Sequence, residues 1–416
     1  MKSIFYFMRK AGRLESFQYF YQEDRKAEKF RILNFWGERG RVKKTPQQNF
    51  PAFQPSSFNA SSFPEFLSFR FKYFLGLFLL PGICFPADPV FEKFQPQIEA
   101  TVDKGLEYLA ARQQADGSFV GENGDTTGIV SLAGMAFLST GDTPGQGKWG
   151  KPLAQCMEYV LTAQRTKEGD PYAGMFARDP HREKMYSHCI STLFLSELSG
   201  MVGPEEQVRI REAQAKALAL ILKAQNVPKD ERNAGGWRYL PDANDSDLSL
   251  TGWALMALKS ARLNGADVPE DNINKAVKYI LSRHRENTGQ FGYQGDMDHA
   301  ESLTGAGLLC LELTGHHGKP QTLMAGRYIQ ETRENLTRSD FEKYGNYYNA
   351  QGMFQLGGEF WEKYATWMYE HYPRQQKEDG SWEGRDGPLY NTSLMILAFT
   401  VPYRQLPIYQ RDETAE

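Results

Sequence analysis

The stretch Asp245-Ser246-Asp247-Leu248-Ser249 sets two carboxylates two residues apart, directly ahead of the apolar run "LTGWALMALKSA". A carboxylic acid at the edge of an apolar helix is a candidate acid catalyst, because burial raises its pKa and lets it keep a proton. Asp298 heads a similar run, "AESLTGAGLLCLELTG", and Asp125 heads "TTGIVSLAGMAFLSTG". When such runs are aligned, their first positions read Asp125, Tyr186, Asp247, Asp298, Tyr347 and Leu389. Two residues later stand Thr127, His188, Ser249, Ala300, Asn349 and Asn391. The candidate catalytic set is Asp247, with Asp245 and Asp298 beside it. A simpler role competes with catalysis. Asp just before a helix caps its free amides and suits the positive end of the helix dipole. Capping lowers a carboxyl pKa, whereas an acid catalyst needs it raised.

What must position these residues is a repeat. "VDKGLEYLAARQQADGSF" begins at Val102, "AQAKALALILKAQNVPKDERNAGGWRY" at Ala213 and "WEKYATWMYEHYPRQQKEDGSW" at Trp361, with further copies from Lys151, Ile273 and Leu323. Each reads as an amphipathic helix followed by a Gly-aromatic turn. A second helix follows, poorer in charge and carrying small residues such as Gly134, Thr251 and Gly307. The turn glycines at 117, 174, 236, 289 and 345 recur every 50 to 60 residues or so, with a shorter step to Gly380. A helix pair alone cannot hide its apolar face, but a closed set can. The expectation is an all-α fold: a closed ring of six helix pairs, a single alpha/alpha toroid over residues 95–410, with six charged outer helices and six small-residue inner helices, and an open solenoid as the alternative. The inner-helix starts would then gather at one mouth of an apolar cavity, with Trp253, Phe137 and Phe354 as candidate lining. Concave apolar cavities with a few polar groups are where ligands bind.

The turns carry a further pattern. Gln113/Gln114 precede Asp116–Phe119, Gln225 precedes Gly235–Tyr239, and Gln375/Gln376 precede Asp379–Trp382, while Gly289–Tyr293 has no matching Gln. On these residues, over roughly 100–405, the chain resembles the alpha/alpha-toroid superfamily of squalene and terpene cyclases and protein prenyltransferase beta subunits, the prenyltransferase and squalene oxidase repeats. The resemblance implies terpenoid chemistry on an isoprenoid, by proton-initiated cyclisation, which is an isomerase reaction. The cyclases protonate an alkene with the central Asp of a D-x-D-D-T-A motif. Aligned from its start, Asp247 takes that place and Leu248 stands for the last Asp; aligned by the helix start, Ser246 takes it. Those cyclases also use more than one helical domain, and this chain has room for one ring. A divergent prenyltransferase-like reading is an alternative. It would match Asp247 and His299 to zinc ligands, but Ser249 stands where the family has Cys. The third alternative is a non-catalytic toroid that binds a peptide, a glycan or a partner protein. No Gly-Cys-Gly-Glu-Gln thioester run, HExxH, GxSxG or Walker A sequence is present, and no cofactor or metal is expected.

The formal net charge is -3, which does not favour a nucleic-acid partner. The distribution is uneven: residues 1–50 carry 12 Lys+Arg against 5 Asp+Glu, ahead of an acidic remainder. The cysteines, Cys84, Cys156, Cys189 and Cys310, are too scattered for a disulfide framework or a zinc knuckle. Residues 1–66 lack a clean periodicity and are left without a fold, as disordered or preceding the true start. In 67–87, Arg70 and Lys72 precede an apolar run broken by Pro81 and Gly82, too short for a stable membrane span. It has the basic start and apolar centre of a secretory signal, although Phe85 is large for the −3 position of a cleavage at Ala87. The expectation is a start near Leu67 and a periplasmic or secreted protein, with an apolar arm on a cytoplasmic protein as the alternative.

Overall fold

The computed structural model describes residues 88–410 apart from Asp296. The expectations for residues 1–66 and of a signal over 67–87 fall outside the described residues. Among these residues there are twelve α-helices, three short 3-10 turns and no strands. The outer helices are α1 Pro89–Arg112, α3 Gly150–Thr162, α5 Pro204–Gln225, α7 Glu270–Leu281, α9 Pro320–Leu336 and α11 Gly358–His371. The inner helices are α2 Thr127–Leu138, α4 Pro180–Leu198, α6 Leu248–Leu263, α8 Ala300–Glu312, α10 Glu342–Leu356 and α12 Pro388–Phe399. Each inner helix packs on the next, and α12 packs on α2, so the ring closes. The described residues form a single alpha/alpha toroid of six helix pairs.

The sequence explains which helix goes where. Every residue of α2 is buried, which its uncharged sequence "TGIVSLAGMAFL" permits. In α7 the buried apolar residues, Ile273, Ala276, Val277, Tyr279 and Ile280, lie along one stripe. No described helix is long and apolar enough to cross a membrane.

The Gln-Gly-aromatic turns are the seams between pairs. Gln113 Nε2 donates to Pro152 O at 3.0 Å, and Gln164 Nε2 donates to Gly174 O and Ala213 O. Gln225 Nε2 donates to Gly235 O (2.8 Å) and to Asn272 O (2.9 Å) of α7. Gln376 Nε2 bonds Gly380 O and reaches Thr101 O of α1, both at 2.9 Å, which laces the last repeat to the first. The amides of Gln164, Gln225 and Gln376 thus each satisfy a carbonyl of their own turn and one of the next outer helix, while that of Gln113 bonds only the next outer helix, at Pro152 O and Cys156 Sγ. The turn glycine lies at positive φ at 117, 174, 235, 289 and 380. In the third repeat this is Gly235 rather than Gly236, which instead packs against the Ser246 side chain. Gly345 is not a turn residue: it lies inside α10, where an added Cβ would come within 2.8 Å of Ser302 Cα.

All six inner helices point the same way, so one mouth of the ring holds their N-termini and the other their C-termini. The segment after α12 folds across the C-terminal mouth. Ile408 N donates to Glu197 Oε2 (3.1 Å), Tyr409 OH to Leu397 O (3.2 Å), and Gln355 Nε2 to Tyr409 O (3.3 Å). Ile408 and Tyr409 are buried there.

Candidate functional site at the N-terminal mouth

Of the three aspartates at inner-helix starts, one is a cap. Asp247 Oδ1 accepts from Leu250 N at 2.8 Å at the start of α6. At α2 the cap is Thr126, and Asp125 instead pairs with Arg182 on the surface. At α8 the residue before the helix is His299, in the left-handed region and without a capping bond. Asp298 is exposed, and no ion pair joins it to the Asp247 cluster among the described residues. His299 is exposed too, edge-on to Phe341.

Asp247 is wholly buried and its Oδ2 accepts from Arg238 Nη1 at 2.6 Å. Arg238 Nε lies 3.1 Å from Asp245 Oδ2, so one guanidinium joins the two carboxylates. Asp245 is 44% exposed and sits at the lip. Arg238 Nη1 also donates to Tyr293 OH (2.6 Å), which is 2.8 Å from Tyr239 OH. Burial pushes the Asp247 carboxyl above its ordinary value, against the Leu250 amide and Arg238, which pull it down. The Tyr293 hydroxyl is pushed up, first by burial and then by the Asp247 charge. Arg238 and Tyr293 were not among the sequence candidates. Their signal was the turn motif itself: Arg238 follows the Trp of "GGWRY", and Tyr293 ends "GQFGY".

A second hydroxyl chain lies beside the first. Tyr186 OH donates to Ser249 Oγ at 3.0 Å, and Ser249 Oγ is 2.7 Å from Tyr344 OH. Ser249 is thus held between two tyrosines. Below it, Trp253 stacks on Tyr347 at 5.4 Å and 18°, and meets Tyr348 edge-on at 5.5 Å. Since α8 stands between α6 and α10 in the ring, these contacts cross the lumen and bridge it. Only Trp253 of the expected lining residues occupies the interior in this way. Phe137 packs on Trp149 and Phe354 on Trp361, both toward the outer layer.

The start of α4 is strained. Lys184 adopts φ 57 and ψ -176, which breaks the helix, and Met185 N donates instead to Tyr239 O (2.8 Å). Such a conformation costs on the order of 1–3 kcal/mol in a non-glycine residue. The break sets Lys184 Nζ over the Tyr239 ring at 4.6 Å and brings Tyr186 within 5.9 Å of it.

His188 and Glu183 have structural work. His188 Nδ1 accepts from Phe176 N (3.1 Å) and Nε2 is 3.2 Å from Ala217 O. Thr251, Thr304 and Thr392 accept from the turn aromatic in the same way in three other repeats. Glu183 accepts from the amides of Thr127, Arg178 and Asp179 and from the Thr127 hydroxyl. Among the described residues, no three His, Cys, Asp or Glu side chains gather as a metal site.

No family model and no curated protein matches the sequence. Solved structures do match. Rex8A from Paenibacillus barcinonensis, complexed with xylose, superposes with a TM-score of 0.51 at 12% identity, over 77% of this chain and 96% of that one. A reducing end xylose-releasing exo-oligoxylanase gives 0.50 at 12% identity, over 77% and 95%. The type II terpene cyclase MstE from Scytonema, bound to geranylgeranyl dihydroxybenzoate, gives 0.44 at 12%, over 76% and 99%. At such identities the likeness is one of fold alone, with no one superfamily assigned.

Proposed function

We propose that the protein holds an isoprenoid at the N-terminal mouth of the ring, against tyrosine faces, with Asp247 as the acid that starts cyclisation and Asp245 tuning it through Arg238. The observation that carries this is the pairing of the hydroxyls. Tyr186, Tyr239, Tyr293 and Tyr344 satisfy one another, Ser249 and Arg238, so the surface left for a ligand is ring face. Aromatic faces suit hydrocarbon and stabilise cationic charge. The strain at Lys184, beside Tyr186, falls where function tends to store it. The aromatic bridge below confines the ligand to the mouth, which favours a short prenyl chain over squalene.

A second reading, a non-catalytic scaffold, draws on a specific observation. Both Asp247 oxygens accept hydrogen bonds, from Leu250 N and Arg238, which is the arrangement of a cap and an anchor. Incubation with squalene and shorter polyprenyl substrates, with product analysis for the parent and Asp247→Asn, separates the two. Product lost in the variant supports the acid. Prenyl binding without product, read by tryptophan fluorescence, supports the scaffold. Neither binding nor product defeats the isoprenoid reading.

A further inference from the structure

A concavity lies at the same mouth, between the fifth and sixth repeats, and owes nothing to Asp247. Its volume is about 260 Å³, and its walls include Asp340, Glu342, Lys343, Gly384, Arg385 and Asn391. From this mixture we infer that the pocket binds a small neutral polyol, of the size of one sugar ring.

The argument begins with charge. Two carboxylates and two cations face one small space. An anion would meet Asp340 and Glu342, and an amine would meet Lys343 and Arg385. A polyol meets no such conflict, because each hydroxyl both donates and accepts. The volume falls below the usual range for drug-sized ligands, roughly 300–1,000 Å³, which suits a single ring.

The second step is unused bonding capacity. Asn391 is buried and spends its Nδ2 on Gly387 O (2.7 Å), while its Oδ1 has no partner among the described residues. Lys343 is also buried and is fixed from behind, to Glu342 Oε2 (2.5 Å) and Gln375 Oε1 (2.6 Å); an ammonium has a third N–H to give. Arg385 sits over the Phe341 ring at 4.7 Å and stands 3.8 Å from Asp340, beyond hydrogen-bond reach, so its guanidinium donors are open at the lip.

The third step is space. Gly384 has no positive φ that would demand glycine, yet a Cβ there would lie 2.7 Å from both amide atoms of Asn391. Its lack of a side chain keeps the Asn391 amide in place and the pocket clear. This inference goes beyond the isoprenoid reading and stands or falls without it.

The test is calorimetric and NMR-detected binding of glucose, xylose and myo-inositol to the purified full chain, with inorganic phosphate and ethanolamine as charged probes. One of the neutral polyols is expected to bind, and Gly384→Ala is expected to abolish that binding. Arg385→Ala, at the exposed lip, is expected to weaken it about tenfold, as the loss of one charged hydrogen bond implies. Binding of phosphate or ethanolamine in place of the polyols overturns the proposal, and so does no binding of any probe. Undiminished binding to a folded Gly384→Ala also overturns it. If that variant does not fold, Arg385→Ala decides, and unchanged affinity there refutes the proposal.

Discussion

Glu197 gives the sharpest prediction about the ring. It lies in the last turn of α4, wholly buried, where Oε1 accepts from Ser260 Oγ and Oε2 from Ile408 N. No cation pairs with it among the described residues. Burial therefore dominates and pushes its carboxyl up from 4.5 to about 7. Below pH 4.5 both folded and unfolded chains carry the proton, and the group has no effect on stability. As pH rises from there to about 7, the unfolded chain ionises while the folded one resists, so stability falls. A shift of this size corresponds to about 3 kcal/mol, lost by neutral pH and constant above it. Glu197→Gln removes the charge and keeps the shape. Its amide can donate to Ser260 and its carbonyl can accept from Ile408.

The variant should match the parent near pH 4.5 and exceed it at pH 8, by up to about 3 kcal/mol. Urea denaturation of both proteins across that range measures it. The difference between the two curves cancels every other titrating group that the substitution leaves alone. Amide exchange at Ile408 should slow in the variant at pH 8, because the C-terminal segment is then held without a buried charge. Parallel pH profiles, or a variant less stable at pH 8, would refute the reasoning.

The other predictions concern the seams and the mouth. Gln225→Ala leaves Gly235 O without its partner and removes two further bonds, one to Asn272 O and one from Asn272 Nδ2; a loss of about 3 kcal/mol in chemical denaturation is expected. Arg238→Ala leaves Asp247 buried without its cation, so that folding must either bury a bare charge or take up a proton, and should cost about 3–5 kcal/mol, whereas Asp247→Asn, which still caps α6, should cost about 1 kcal/mol. Equal losses in thermal melts would contradict that asymmetry. His188 is held below its ordinary 6.5, at about 4, by burial. The folded state therefore refuses a proton that the unfolded chain accepts, and stability is lost as pH falls from 6.5 toward 4. His188→Thr, the residue that three other repeats use, should flatten that acid limb; an unchanged slope between pH 6.5 and 4 would show that His188 is not its source.

The repeat was legible because it rests on local rules. Helical spacing marked both layers, and Gly117, Gly174, Gly289 and Gly380 marked turns that need positive φ. Gly345 misled because a glycine that lets two helices touch looks the same in sequence as one that turns the chain. Phe137 and Phe354 misled for a related reason: an inner helix is buried on all sides, so composition does not say which side meets the lumen. The seam bonds were also out of sight, since Gln376 meets Thr101 only when the ring closes. Asp247 was found, but as the single cap among three similar aspartates. What sets it apart is Arg238, which the turn of its own repeat supplies.

That partner limits what Asp247 can be. A carboxyl that gives a proton to hydrocarbon must first hold one, with a lone pair facing the substrate. Leu250 N occupies one oxygen and Arg238 the other, and Tyr293 OH shares the same guanidinium nitrogen. Burial favours the protonated acid, yet Arg238 at 2.6 Å favours the anion, and the two pull on one group. A ligand that covers the mouth strengthens both effects, since it removes water from Asp247 and from Arg238 alike. The balance therefore turns on Asp245. At the lip, it holds Arg238 Nε while Asp247 holds Nη1, so the two carboxylates share one guanidinium. A ligand that draws Arg238 toward Asp245 would leave Asp247 unpaired in a dry site, where a carboxyl keeps its proton. One that leaves Arg238 in place keeps Asp247 an anchor, and the ring a binding scaffold.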